Sequence, residues 1–121
     1  MIIKELADDL SVIQVDTIQN INFSITPLFI GKTESEISVV LPTMFVPAEV
    51  INREDGWKGI TFDGTLDFSL VGILAKIATL LAENSISIFA ISTYNTDYIL
   101  IKKNSFKLAK KVLIQAGYDL H

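Results

Sequence analysis

Between residues 57 and 116 the hydrophobic repeat of this chain switches between a period of two and a helical period, and no other feature limits its fold as strongly. "WKGITFD" (57–63) reads as a strand with Trp57 near its start, and "GTLDFS" follows as a loop. From there Leu70, Ile73, Leu74, Ile77, Leu80 and Leu81 fall at the spacing of one face of an amphipathic helix. Lys76, Thr79 and Glu83 fall on the opposite face, Asp67 or Ser69 is placed to cap the first turn, and Asn84 closes the helix. "SISIFAIS" (85–92) is a strand with apolar residues on both faces, which predicts a position interior to a sheet. "DYILIKK" (97–103) is the returning strand. "NSFKLAKKVLIQAG" (104–117) is a second helix. Ser105 is its candidate cap, Leu108, Ala109, Val112, Leu113 and Ala116 its buried stripe, and Gly117 its left-handed terminator.

The order β-α-β-β-α is most of the split βαββαβ unit of ferredoxin-like α+β folds, short of its last strand. "YDLH" (118–121) is too short to supply a full one, and a missing edge leaves backbone unpaired. The N-terminal half offers strands at 10–16, 28–31 and 36–41 and few helices to cover them. Residues 17–27 are ambiguous between a short helix and an irregular connection, and Pro42 and Pro47 frame a loop with a short helical turn. "NREDG" (52–56) is the most polar segment and marks the expected boundary. The reading is therefore an N-terminal, strand-rich unit at 1–54 and a C-terminal unit at 55–121. The two share or exchange strands.

Composition removes several kinds of chemistry. Half of the 121 residues are apolar and 20% are charged, which suits one packed body. There is no cysteine, hence no disulfide, thiol nucleophile or thiolate metal site, and the single histidine is His121 at the end of the chain. No cofactor or metal is expected. A net charge of −4 argues against nucleic acid, and Lys107, Lys110 and Lys111 read as a solvated helix face. The N-terminus lacks the apolar core of a signal peptide, and no apolar run approaches the ~20 residues of a membrane span. A soluble, cytoplasmic protein without a membrane partner is expected. The apolar content suggests that a second copy covers part of the surface, so a homodimer is expected too. Asp63 and Asp67 have no His partner, phosphate loop or HExxH motif beside them, and read as solvated turn carboxylates rather than an acid–base pair.

Two stretches remain chemically suggestive. The loop "GTLDFSLVG" runs into a helix head, where free N–H groups and the helix dipole can hold a carboxylate; it also reads simply as a well-capped helix. Ser92, Thr93, Tyr94, Asn95, Thr96 and Asp97 form a run of six hydrogen-bonding residues between two apolar strands. Asp97 could accept an ammonium in a charge-assisted bond, with hydroxyls from Ser92 and Thr93 and a wall from Tyr94. The same residue types also suit a turn for local reasons.

The stretch "GWKGITFDGTLDFSLVGILAKIATLLAENSISIFAISTYNTDYILIKK" resembles the ACT-like domains of small bacterial proteins and of the CASTOR arginine sensors. The likeness covers roughly 57–118, with a weaker one over "LFIGKTESEISVVLP". It implies a ferredoxin-like ACT-type tandem that is regulatory rather than enzymatic and binds an amino acid at the interface of paired units. An unidentified effector protein would take the output. By the resemblance, ligand contacts come from three places: the loop Asp67, Phe68, Ser69, Leu70, Val71 and Gly72; the hairpin Thr93, Tyr94 and Asp97, beside the Ser92 hydroxyl already noted; and Ile37, Ser38 and Val39 of the neighbouring unit. The sensors have four such units and this chain two, so its ligand need not be arginine. A dimerisation scaffold without a ligand is the alternative.

Overall fold

The computed structural model describes residues 2–62 and 72–121. In chain order these form β1 (Ile2–Glu5), β2 (Leu10–Val15), β3 (Phe29–Lys32), β4 (Ile37–Pro42), a 3-10 turn (Thr43–Phe45), β5 (Asn52–Phe62), α1 (Ile73–Glu83), β6 (Ile88–Ser92), β7 (Asp97–Lys102), α2 (Lys103–Gln115) and β8 (Asp119–Leu120). The chain divides into two compact units, one of Met1–Ala7 with Lys58–His121 and one of Asp8–Trp57. β5 passes from the second into the first.

The first unit is the ferredoxin-like one. Its strand order is β8-β1-β5-β7-β6. β1 lies antiparallel to β5, with Ile3 opposite Phe62 and Glu5 opposite Ile60, and parallel to β8, with Ile3 opposite Leu120. The last strand is indeed only two residues long, and β1 supplies the pairing it cannot. Main-chain bonds from His121 N–H to the Ile3 carbonyl and from Glu5 N–H to the His121 carbonyl, both 2.8 Å, continue that ladder. Both periodicities meet in the core. Ile60 and Phe62, and Ile99 and Ile101, alternate inward from strands; Ile77 and Leu81, and Phe106, Ala109 and Leu113, recur inward from helices.

In the second unit the order is β3-β4-β2 and then the first half of β5. β2 runs antiparallel to β4 from Leu10–Pro42 to Val15–Ile37, and to β5 from Gln14–Asn52 to Leu10–Trp57. Ile13, Val15, Ile21, Val39 and Leu41 fill its core. Between Leu10 and Val12 the register to β5 shifts, so that Asp55 and Gly56 together face Ser11, a β-bulge in which Gly56 takes φ 82°.

Several expectations are corrected. The polar segment 52–56 opens strand β5: its side chains are mostly exposed, and the ladder to β2 rather than apolar burial makes it a strand. β6 pairs only with β7 among the described residues, so it is an edge strand with half-exposed apolar side chains, and the interior place belongs to β7. α1 is preceded by Gly72 in a left-handed conformation, φ 85°, which offers no capping side chain; Leu70, Asp67 and Ser69 lie outside the described residues. α2 starts at Lys103, so Ser105 is inside it rather than its cap. Phe106 takes an inward position, while Leu108 is 46% exposed and Ala116 faces out at the helix end.

Candidate functional site

The polar run at the tip of β6 and β7 forms a tight hairpin. The Thr93 N–H donates to the Thr96 carbonyl at 2.9 Å, and the strands pair from Ser92–Asp97 to Ile88–Ile101. The Ser92 hydroxyl donates to Asp97 Oδ1 at 2.5 Å, and the Thr93 hydroxyl to the Thr96 carbonyl at 2.9 Å. The base of the hairpin is tied to β5 by the Thr61 hydroxyl, which donates to the Asp97 carbonyl at 2.9 Å. Tyr94 is 90% exposed and makes no wall here. The Thr96 hydroxyl oxygen is buried without a hydrogen-bond partner, unlike its neighbours. Sequence reasoning passed over Thr96 within the polar run; only the fold shows that its oxygen is enclosed.

The structure thus bonds Ser92 to Asp97 and Thr93 to the Thr96 main chain, and leaves Tyr94 in solvent. At the head of α1, Gly72 accepts from the Lys76 N–H at 2.8 Å, and the first-turn N–H groups that follow have no intrahelical acceptor. Asp67, Phe68, Ser69, Leu70 and Val71 lie outside the described residues. Ile37, Ser38 and Val39 belong to β4 of the other unit. Their main chain is paired with β2 and β3, Val39 is wholly buried in that unit's core, and the Ser38 hydroxyl bonds Glu36.

A second polar group sits at the bulge. The Ser11 side chain is fully buried, donates to Asp55 Oδ1 at 2.5 Å and lies 2.9 Å from the Thr43 hydroxyl. Arg53 Nε donates to the same Asp55 oxygen at 2.9 Å. Ser11 has one proton and gives it to the carboxylate, so Thr43 must donate to Ser11. The sequence carried no signal for this group, whose members come from β2, the 3-10 turn and β5. A cavity of about 120 Å3 opens at the end of β2, against Val15, Pro47, Val50 and Ile51. Among the described residues, no three His, Asp or Glu side chains are grouped to hold a metal ion, and no helix is long and apolar enough to cross a membrane.

Known proteins put this arrangement in context. No curated protein matches the sequence. Among solved structures, a protein of Agobacterium tumefaciens is 25% identical with a TM-score of 0.85, over 98% of this chain and 90% of that one. A Vibrio cholerae protein of unknown function, described as a possible transport protein, is 25% identical with a TM-score of 0.75, over 94% of this chain and 88% of that one. The ligand-free regulatory subunit of aspartate kinase from Thermus thermophilus shares the fold alone, at 12% identity and a TM-score of 0.65 over 97% of this chain and 98% of that one. The ACT domain model matches residues 52–115, which include all of β5, α1, β6, β7 and α2. ACT domains are regulatory ligand-binding modules. With more than half of its 121 residues in that match, the chain belongs to the ACT domain family.

Proposed function

We propose that the chain is a non-enzymatic regulatory module that binds a free amino acid at the head of α1 and the tip of the β6–β7 hairpin. The observation that carries this reading is the ACT domain match, because residues 52–115 contain both elements. The chemistry is complementary. First-turn N–H groups of α1 suit a carboxylate, and Asp97, half-buried and bonded by Ser92, suits an ammonium. The buried Thr96 hydroxyl offers one further hydrogen bond. In this proposal Asp67 to Val71 add to the helix head. Ile37 and Ser38 contribute at most side-chain atoms, their main chain being paired. Kinship with the CASTOR sensors, a homodimer and an effector protein as output belong to the same proposal. The edge strand β6, with Ile88, Phe89 and Ile91 half-buried, is a surface that a second copy would cover.

One observation favours the scaffold reading instead: within the hairpin Ser92 already bonds the Asp97 side chain and Thr93 the Thr96 main chain, as in a self-capped turn. A thermal-shift panel of the twenty amino acids separates the two. A ligand at 100 times its Kd adds about 2.7 kcal/mol. With an unfolding entropy of about 2.1 cal/mol/K per residue over 121 residues, that raises Tm by about 10 °C. Asp97→Ala is expected to abolish the rise while leaving a cooperative transition. A flat panel with well-folded protein decides for the scaffold.

A further inference from the structure

We propose that α1 is a self-association surface: two copies of the chain pack their first helices antiparallel about a two-fold axis, each against the outer groove of the other. That groove, of about 460 Å3, is lined by Ala75, Thr79 and Leu80 of the helix and by Tyr118 beyond α2, with Lys76 and Glu83 also on it. Ala75, Thr79 and Ala82 are exposed and recur at spacings of four and three, which puts them on one stripe of the helix. A solvent face normally carries longer polar side chains, as α2 does with Lys107 and Lys111. The small side chains of α1 leave room for a second helix to come as near as about 8 Å.

The charges select the occupant. Lys76 and Glu83 are exposed and have no ion-pair partner among the described residues. Seven residues apart, they stand on the same flank of the stripe, about 10 Å from each other along the axis. Each also lies at the end of α1 where the helix dipole disfavours it. Lys76 is in the first turn, which favours an anion, and Glu83 is the last residue, where a cation is favoured. An antiparallel copy compensates both. In such a pair each flank faces the same flank of the partner helix. Lys76 of each copy therefore meets Glu83 of the other, and Thr79 lies beside the two-fold axis. The pattern is its own complement when reversed, as an isologous contact requires. It uses neither the hairpin nor the edge of β6.

Sedimentation of charge-reversed chains tests this. Lys76→Glu and Glu83→Lys each turn two attractive exposed pairs repulsive, so the dissociation constant of either variant should rise by at least about tenfold. An equimolar mixture of the two variants should associate again, because every pair across the axis is then of opposite charge. The double variant should associate with itself for the same reason. Both substitutions place a charge where the dipole favours it, so each chain should melt as cooperatively as the parent. Because the chain has no cysteine, Thr79→Cys provides a second readout: a short bismaleimide should link it to itself, and adding either single reversal should remove the link. Single variants that dimerise like the parent would overturn the proposal, as they would if the β6 edges alone joined the copies. So would folded variants whose mixture fails to associate, or a parent chain still monomeric at about 1 mM.

Discussion

Ser11→Ala tests whether the buried hydroxyl at the β-bulge stabilises the fold or merely fits it. The chain of bonds runs Thr43 to Ser11 to Asp55, with Arg53 donating to the same carboxylate oxygen. Removing the Ser11 hydroxyl takes a donor from Asp55 and an acceptor from Thr43 together. A bond to a charged group contributes about 1.5–3 kcal/mol, and a buried group left unsatisfied costs about 1–3 kcal/mol. The Asp55 side chain is 49% exposed and keeps Arg53, so water replaces part of what it loses. That places the net cost at the lower end, about 1–2 kcal/mol. At about 2.1 cal/mol/K per residue over 121 residues, Tm falls by about 4–8 °C. Urea denaturation with an unchanged m value measures the same quantity independently. Thr43→Val is the informative control. It leaves the Ser11–Asp55 bond in place and empties only an acceptor site on Ser11, so it should cost about 0.5–1 kcal/mol, less than Ser11→Ala. A Ser11→Ala variant as stable as the parent, or a Thr43→Val variant that loses more, would show that the proton assignment and the weight given to the charged bond are wrong.

Leu81→Ala should lower stability by about 2–5 kcal/mol, read as a drop in the urea midpoint, because Leu81 is wholly buried beside Ile77 in the core of the ferredoxin-like unit and its loss leaves a cavity; a change below about 1 kcal/mol would mean that the core collapses around the gap. Gly56→Ala should cost about 1–2 kcal/mol through backbone strain alone, since φ is 82° and an added Cβ meets nothing within 4 Å. Gly56→Asn should cost less, because Asn tolerates that conformation better than Ala; equal losses in a thermal melt would refute the strain account.

What the sequence revealed of this fold followed how local each signal is. The helix stripe through Ile77 and Leu81 and the alternation through Ile99 and Ile101 repeat within one element, so period alone exposes them. β1 did not announce itself. Four residues give too short a pattern, and they form a strand only because β5 and β8 receive them. "SISIFAIS" misled for the opposite reason. Apolar residues on both faces usually mean a central strand, whereas here one edge of β6 is unpaired among the described residues. Leu108 counted as core because it is a leucine on a helix, yet the inward arc of α2 is set by Phe106, Ala109 and Leu113. At the candidate site the residue types of the hairpin were readable, but not their bonding. Whether Ser92 turns toward Asp97 or away depends on side-chain torsions that no spacing encodes.

The place of β1 also bears on how the C-terminal unit can exist. The family match runs over 52–115 and so contains neither β1 nor β8. A chain beginning at residue 55 would keep both helices, yet Phe62 and Ile60 would face no partner at Ile3 and Glu5, and Ile3, wholly buried, would be missing from the core. β8 would lose the one ladder partner it has among the described residues, because its two residues pair with β1. The cost is more than one side chain, since an unpaired strand strips a row of backbone groups that pairing would otherwise satisfy. The strand order β8-β1-β5-β7-β6 then matters for the site: the hairpin and β1 lie on opposite sides of β5, which Thr61 ties to the hairpin carbonyl and Thr61 opposite Lys4 ties to β1. The first residues of the chain therefore complete the sheet from which the candidate ligand-binding hairpin projects, although nothing in the ACT segment itself refers to them.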